Sequence, residues 1–183
     1  MATVTVTPES FSFVEFRNDE IVAAADRVRS QVGLDDRELH IDVDEESPLA
    51  RVELTSLDPI SITVEGGAFE DPKKPRHLSP VLTQLAVGTR LLQAADRLDP
   101  GFGAPGLEDE VTTRLQTVWD VYAVARLARS GHPAHQQRWR YHWRNRHGFT
   151  DRADRQFDRV WTTEGLTWAD LVTASDAGRS EDL

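Results

Sequence analysis

Four of the six histidines and two of the five tryptophans fall within residues 132–149, interleaved with Arg138, Arg140, Arg144 and Arg146. Side chains of these types bind anions, stack on flat rings or, as neutral imidazole, ligate metals. Proline forfeits no hydrogen bond in the first helical turn, so the stretch reads as a helix opening at Pro133. Its periodicity puts His135, Trp139, His142, Trp143 and Arg146 on one face, with Gln136, Gln137, Arg140 and Arg144 on the other. Such a stripe is expected to form the rim of a core, or an interaction surface for a second copy of the chain or another protein. Arginine interleaved with aromatic rings also suits single-stranded nucleic acid, but acidic flanking segments oppose it, so nucleic acid is the lesser expectation.

A second constellation is Lys73, Lys74, Arg76 and His77 running into Ser79 and Pro80, a helix cap followed by a first-turn proline. Free backbone N–H groups, the positive helix end and three permanent cations would together suit a phosphate or carboxylate. The competing expectation is a solvated loop neutralised by Glu70 and Asp71.

His132 and His135 are close enough in sequence to share an ion, whereas His135 and His142 lie two helical turns apart. With no cysteine and no His-Glu-x-x-His, no metal site and no cofactor is expected. Asp42, Asp44, Glu45 and Glu46 read as the wet side of a strand rather than a cation site. Gly66-Gly67 and Gly101-Phe102-Gly103 lack the neighbours of a phosphate loop or dinucleotide fingerprint, and no catalytic residue is assigned.

The elements that must position these groups follow from periodicity and punctuation. Phe11–Phe16 suits a first strand, and Asn18 or Asp19 is placed to cap a helix running to about Val32 and stopped by Gly33. Residues 38–44, 50–54 and 60–64 alternate as strands, and their short separations predict an antiparallel meander. After a Gly/Pro-rich loop, a helix over 79–98 shows Val81, Leu85, Gly88, Leu92 and Ala95 on one face and stops at Asp99-Pro100-Gly101. The next helix, with Glu108, Asp109 and Glu110 in its first turn, is expected to reach about Ser130; from Val118 to Ala128 it is apolar nearly all round and therefore central. Gly148 ends the aromatic stripe, Thr150 and Asp151 open a helix with Phe157, Val160 and Trp161, and Thr167 with Asp170 resembles a capping box for a last helix, polar and frayed from Ala174.

The fold class is therefore α+β: a β-α-β-β-β unit with an antiparallel meander, then a helical C-terminal half of about five helices. The 183 residues suit a single domain, comprising an acidic α+β portion (1–71), a basic loop and helix (72–101) and a helical portion (102–183). The β-α-β-β-β-α order is similar to the small core of zincin-type metallopeptidases, whose catalytic helix would correspond to residues 79–98; that helix holds no histidine and only Asp96 as an acid.

Charge is uneven: residues 1–71 carry net -12, residues 72–150 net +6 and residues 151–183 net -4, for a total of -10. The acidic total argues against generic attraction to DNA or anionic membranes. No stretch approaches the roughly 20 apolar residues of a membrane span, and the N-terminus lacks the pattern of a signal peptide. The expectation is a cytoplasmic binding or interaction protein, with a small-anion binder or enzyme at the basic loop as the alternative.

Overall fold

The computed structural model describes residues 2–177, and its contacts cluster in two compact units, Met1–Leu98 and Asp99–Leu183. The first unit carries a four-stranded sheet of β1 (Val4–Thr7), β2 (Leu39–Asp44), β3 (Val52–Leu57) and β4 (Ile60–Glu65) in the order β1-β2-β4-β3. β1 pairs with β2 and β2 with β4 in parallel; only β3 and β4 are antiparallel. The α+β class and the helical second half are as the periodicity predicts, but the sheet is mixed and a single hairpin replaces the expected meander. Burial explains the order. Leu39, Ile41 and Val43 of β2 and Ile60, Ile62 and Val64 of β4 are all at most 4% exposed, so these strands take the centre. β3 offers only half-exposed Val52 and Leu54 and is left at the edge.

The first strand is Val4–Thr7, not Phe11–Phe16. The β-branched alternation of Val4-Thr5-Val6-Thr7 makes the strand, with Val6 turned into the core. Phe11 and Phe16 instead meet edge to face at 5.6 Å, and Phe16 packs beside Phe69. α1 (Asn18–Gln31) is preceded by Arg17 at the cap position with no side-chain cap bond. Asn18, expected to cap, donates to the Pro8 and Glu9 carbonyls instead, and Asp19 pairs with Arg17. Gly33 stops the helix with φ +74°: Gly33 N–H donates to Ser30 O and Leu34 N–H to Arg29 O, the two bonds of a Schellman end.

α2 (Pro80–Leu98) starts where Ser79 and Pro80 predict, with Ser79 Oγ accepting from Leu82 N–H. Its buried face runs through Thr83, Val87, Leu91 and Ala94; Val81, expected to face inward, is 38% exposed. α1 and α2 touch each other and together cover one side of the sheet. The other side is open, presenting Thr7, His40, Asp42, Asp44, Glu53, Thr63 and Glu65 to solvent. The segment expected as a loop forms a short hairpin, β5 (Glu70–Asp71) with β6 (Lys74–Leu78).

The second unit is helical: α3 (Thr113–Arg129), α4 (Gln136–His147), α5 (Asp151–Thr162) and α6 (Trp168–Ala177). α3 is central, with Val118, Trp119, Val121, Ala123, Val124 and Ala125 fully buried, and it touches the other three helices. It starts later than the acids at 108–110 predict, because Thr112 supplies the cap by accepting from Leu115 N–H. Thr150 caps α5 as expected, and Thr167 and Asp170 form a capping box in which each accepts from the other's backbone N–H. α6 continues through Ala177 with Ala174 and Ser175 buried, so fraying does not begin at Ala174; the later part of that expectation lies outside the described residues.

Candidate functional site

α4 carries the densest chemistry, and its boundaries are set from outside. α3 closes on Gly131 at φ +90°, with Gly131 N–H donating to Ala128 O and His132 N–H to Leu127 O. Pro133 therefore belongs to the exit from α3 rather than opening α4, and His135 takes the cap position without a side-chain cap bond.

The predicted five-residue stripe straddles the boundary between the inward and outward faces. Trp143 is fully buried and Trp139 half-buried in the cluster that Phe102, Trp119, Tyr122, Phe157 and Val160 help form. His135, His142 and Arg146 are exposed. Two residues extend the buried arc in the direction that the stripe did not indicate. His147 is 4% exposed and stacks on Trp143, and the Arg140 guanidinium lies 4.5 Å over the Phe157 ring. Their spacing from Trp143, at i+4 and i-3, is the signal that would have found them.

The four arginines divide in the same way. Arg144 grips Asp154 with two bonds, Nε to Oδ1 at 2.8 Å and a terminal nitrogen to Oδ2 at 2.5 Å, and Arg140 pairs with Asp158. The side-chain bond from Arg144 holds the Asp154 carboxyl below the usual range. Arg138 and Arg146 are exposed and make no ion pair among the described residues. Beside them stand Tyr141, 58% exposed, and Phe149, 64% exposed, with ring centroids 6.1 Å apart and edge to face. Residues 121–150 contain six arginines and no aspartate or glutamate. His142 sits between the two free arginines, packed against Trp139 at 5.7 Å. Partial burial, then Arg138 and Arg146, hold its pKa below the ordinary value and outweigh Asp120 of α3. The outward face of α4 is thus positive, with two rings and no acid on it.

The basic hairpin is arranged differently. Arg76 Nε donates to Phe13 O at 2.7 Å, and His77 Nε2 lies 3.0 Å from Glu15 Oε2. Ser79 N–H donates to Phe69 O and Ser79 Oγ accepts within α2, while Lys73 and Lys74 are exposed. Arg76 and His77 therefore hold the hairpin to residues 11–16 instead of converging with the lysines on Ser79.

On the open side of the sheet, Asp42, Asp44, Arg51, Glu53, Thr63 and Glu65 line a shallow depression of about 180 Å³. Glu45, expected on the same wet surface, accepts from the backbone N–H groups of Ser12 and Phe13. The histidines are dispersed, with His132 and His147 buried and His135 and His142 exposed. Among the described residues no three His, Asp or Glu side chains gather where they could hold a metal ion, and α2 keeps its one acid, Asp96, 5% exposed. No described helix is long and apolar enough to cross a membrane. No protein-family model, curated protein or solved structure matches the chain.

Proposed function

We propose that this chain is a non-catalytic binding protein of the cytoplasm whose contact surface is the outward face of α4. The observation that supports this is the exposed Tyr141–Phe149 pair flanked by Arg138 and Arg146, neither of which has an ion pair among the described residues. Arginine and aromatic side chains without neighbouring acids are the composition of binding hot spots, and folding makes no use of these four. The face is made of His135, Arg138, Tyr141, His142, Asn145, Arg146 and Phe149, so only part of the predicted stripe contributes and Trp143 does not. The small-anion alternative at Lys73, Lys74, Arg76, His77 and Ser79 has less support, since Arg76 and His77 already engage Phe13 and Glu15.

The test is a fourfold variant, Arg138→Gln, Tyr141→Gln, Arg146→Gln and Phe149→Ser, run beside the parent. Sedimentation over a range of concentrations reads self-association. Thermal shift with phosphate metabolites, poly-L-glutamate and an oligonucleotide reads ligand binding. The expected result is at least one association in the parent that the variant loses at unchanged melting temperature. If the parent responds to nothing, or the variant responds equally, the reading is wrong.

A further inference from the structure

The outward face of α4 is convex and small. Its twelve helical residues span about 18 Å. Its charge is positive: Arg138 and Arg146 have no ion pair among the described residues, while on α5 Asp154 and Asp158 are taken up by Arg144 and Arg140 and Asp151 stays exposed. Its two rings stand in solvent, 58% and 64% exposed, in edge contact with each other. Arg138 and Arg146 are eight residues apart, about 12 Å along the axis, and between them Tyr141, His142 and Asn145 offer one ring and two hydrogen-bonding side chains.

Cations at both ends of a short track, with a ring to stack on between them, match a flexible polyanion that carries flat apolar groups. We propose that the outward face of α4 binds single-stranded nucleic acid: Arg138 and Arg146 hold backbone phosphates, bases stack on Tyr141 and Phe149, and Asn145 with His142 bonds base edges. This rests on the α4 reading above and names its partner. A duplex fits less well, since its bases are already stacked and its binding draws on many phosphate contacts, whereas this face offers two free guanidinium groups. Of the acidic flank that opposed nucleic acid in the sequence, Asp154 and Asp158 are engaged by Arg144 and Arg140, which leaves Asp151 as the exposed carboxylate of α5 next to this face.

The experiment is fluorescence anisotropy of a labelled twelve-nucleotide oligothymidylate with the full chain across a salt series, in competition with unlabelled poly-L-glutamate at equal charge. The expected result is binding at low salt with a log–log salt slope of about -1.4, from two phosphates at about 0.7 each. Arg138→Gln and Arg146→Gln should each lower the slope magnitude by about 0.7, and Arg→Lys at both sites should restore it. Tyr141→Gln with Phe149→Ser should weaken binding about tenfold or more while leaving the slope unchanged. All four side chains are surface groups, and circular dichroism confirms that each variant is folded.

No binding at low salt overturns the proposal. So does binding that the aromatic variant retains in full, or that poly-L-glutamate displaces as well as unlabelled oligothymidylate does, since either means a generic attraction of polyanions. In those cases the α4 reading survives if the fourfold variant still loses another association, and falls if it loses none.

Discussion

His147 lies stacked on Trp143, ring centroids 4.3 Å apart and planes 26° from parallel, inside the helical core. Its Nδ1 faces Arg114 at 3.4 Å, and its Nε2 is buried without a partner. Burial first, then the Arg114 charge, pushes the imidazole down to about 4 from an ordinary value of 6.5. The unfolded chain therefore binds this proton more readily than the native one between those two values. Stability is fully present above pH 6.5, falls as pH drops toward 4, and levels off below. A shift of this size is worth up to about 3 kcal/mol. Urea unfolding at pH 7 and pH 4.5 should show the loss, and His147→Phe, which keeps the stack, should remove most of it; an unchanged pH dependence would refute the assignment.

Trp143 and Trp139 separate core from rim. Trp143→Ala empties a fully buried site and should cost about 3–5 kcal/mol, while Trp139→Ala, half-exposed, should cost about half as much. Chemical denaturation of the two single variants decides the order. Equal costs would mean that α4 is turned differently on the core.

Arg29 is 1% exposed and ties the end of α1 to the Arg37 and Ala2 carbonyls and to Asp26. Arg29→Ala leaves two carbonyls without this donor and should cost about 3 kcal/mol. Arg27→Ala, on an exposed side chain of the same helix, should cost under about 0.5 kcal/mol. The ratio of the two in thermal melts is the check.

The paired bond between Arg144 and Asp154 should show as coupling. A double-mutant cycle with Arg144→Gln and Asp154→Asn is expected to give a favourable coupling at pH 7 that weakens as salt is raised. Because its pKa is lowered in the fold, the Asp154 contribution is present above the ordinary carboxylate range and lost as pH falls through the native value. A coupling energy of zero would mean that these groups are merely adjacent.

What the sequence disclosed were the elements with their own punctuation. Ser79-Pro80, Thr150-Asp151 and the Thr167–Asp170 box all begin helices where local chemistry demands, and Gly33 and Gly131 end them. Strand pairing was not legible, because a local alternation marks a strand without saying which neighbour it takes. Only the deeper burial of β2 and β4 sets them side by side. In the candidate site, residue types were legible but orientation was not. A periodicity wide enough to include both Trp143 and Arg146 spans the inward and outward sides of a helix. Which arginines remain free depends on Asp154 and Asp158 reaching back from α5, a tertiary fact with no local sign.

α4 is a helix by circumstance. It has no acidic residue in its first turn, no side-chain bond at its cap, and a terminus defined by the closing turn of its predecessor. Cut from the chain, residues 132–149 lack the means to pay for their own ordering and would be coil. Its shape is therefore on loan from α3 and α5, and any event that loosens Trp143 or the Asp154 clasp also dissolves the spacing of Arg138, Tyr141 and Arg146. The outward chemistry is thereby made contingent on the inward packing, so the same eighteen residues report on the integrity of the helical unit each time they engage a partner.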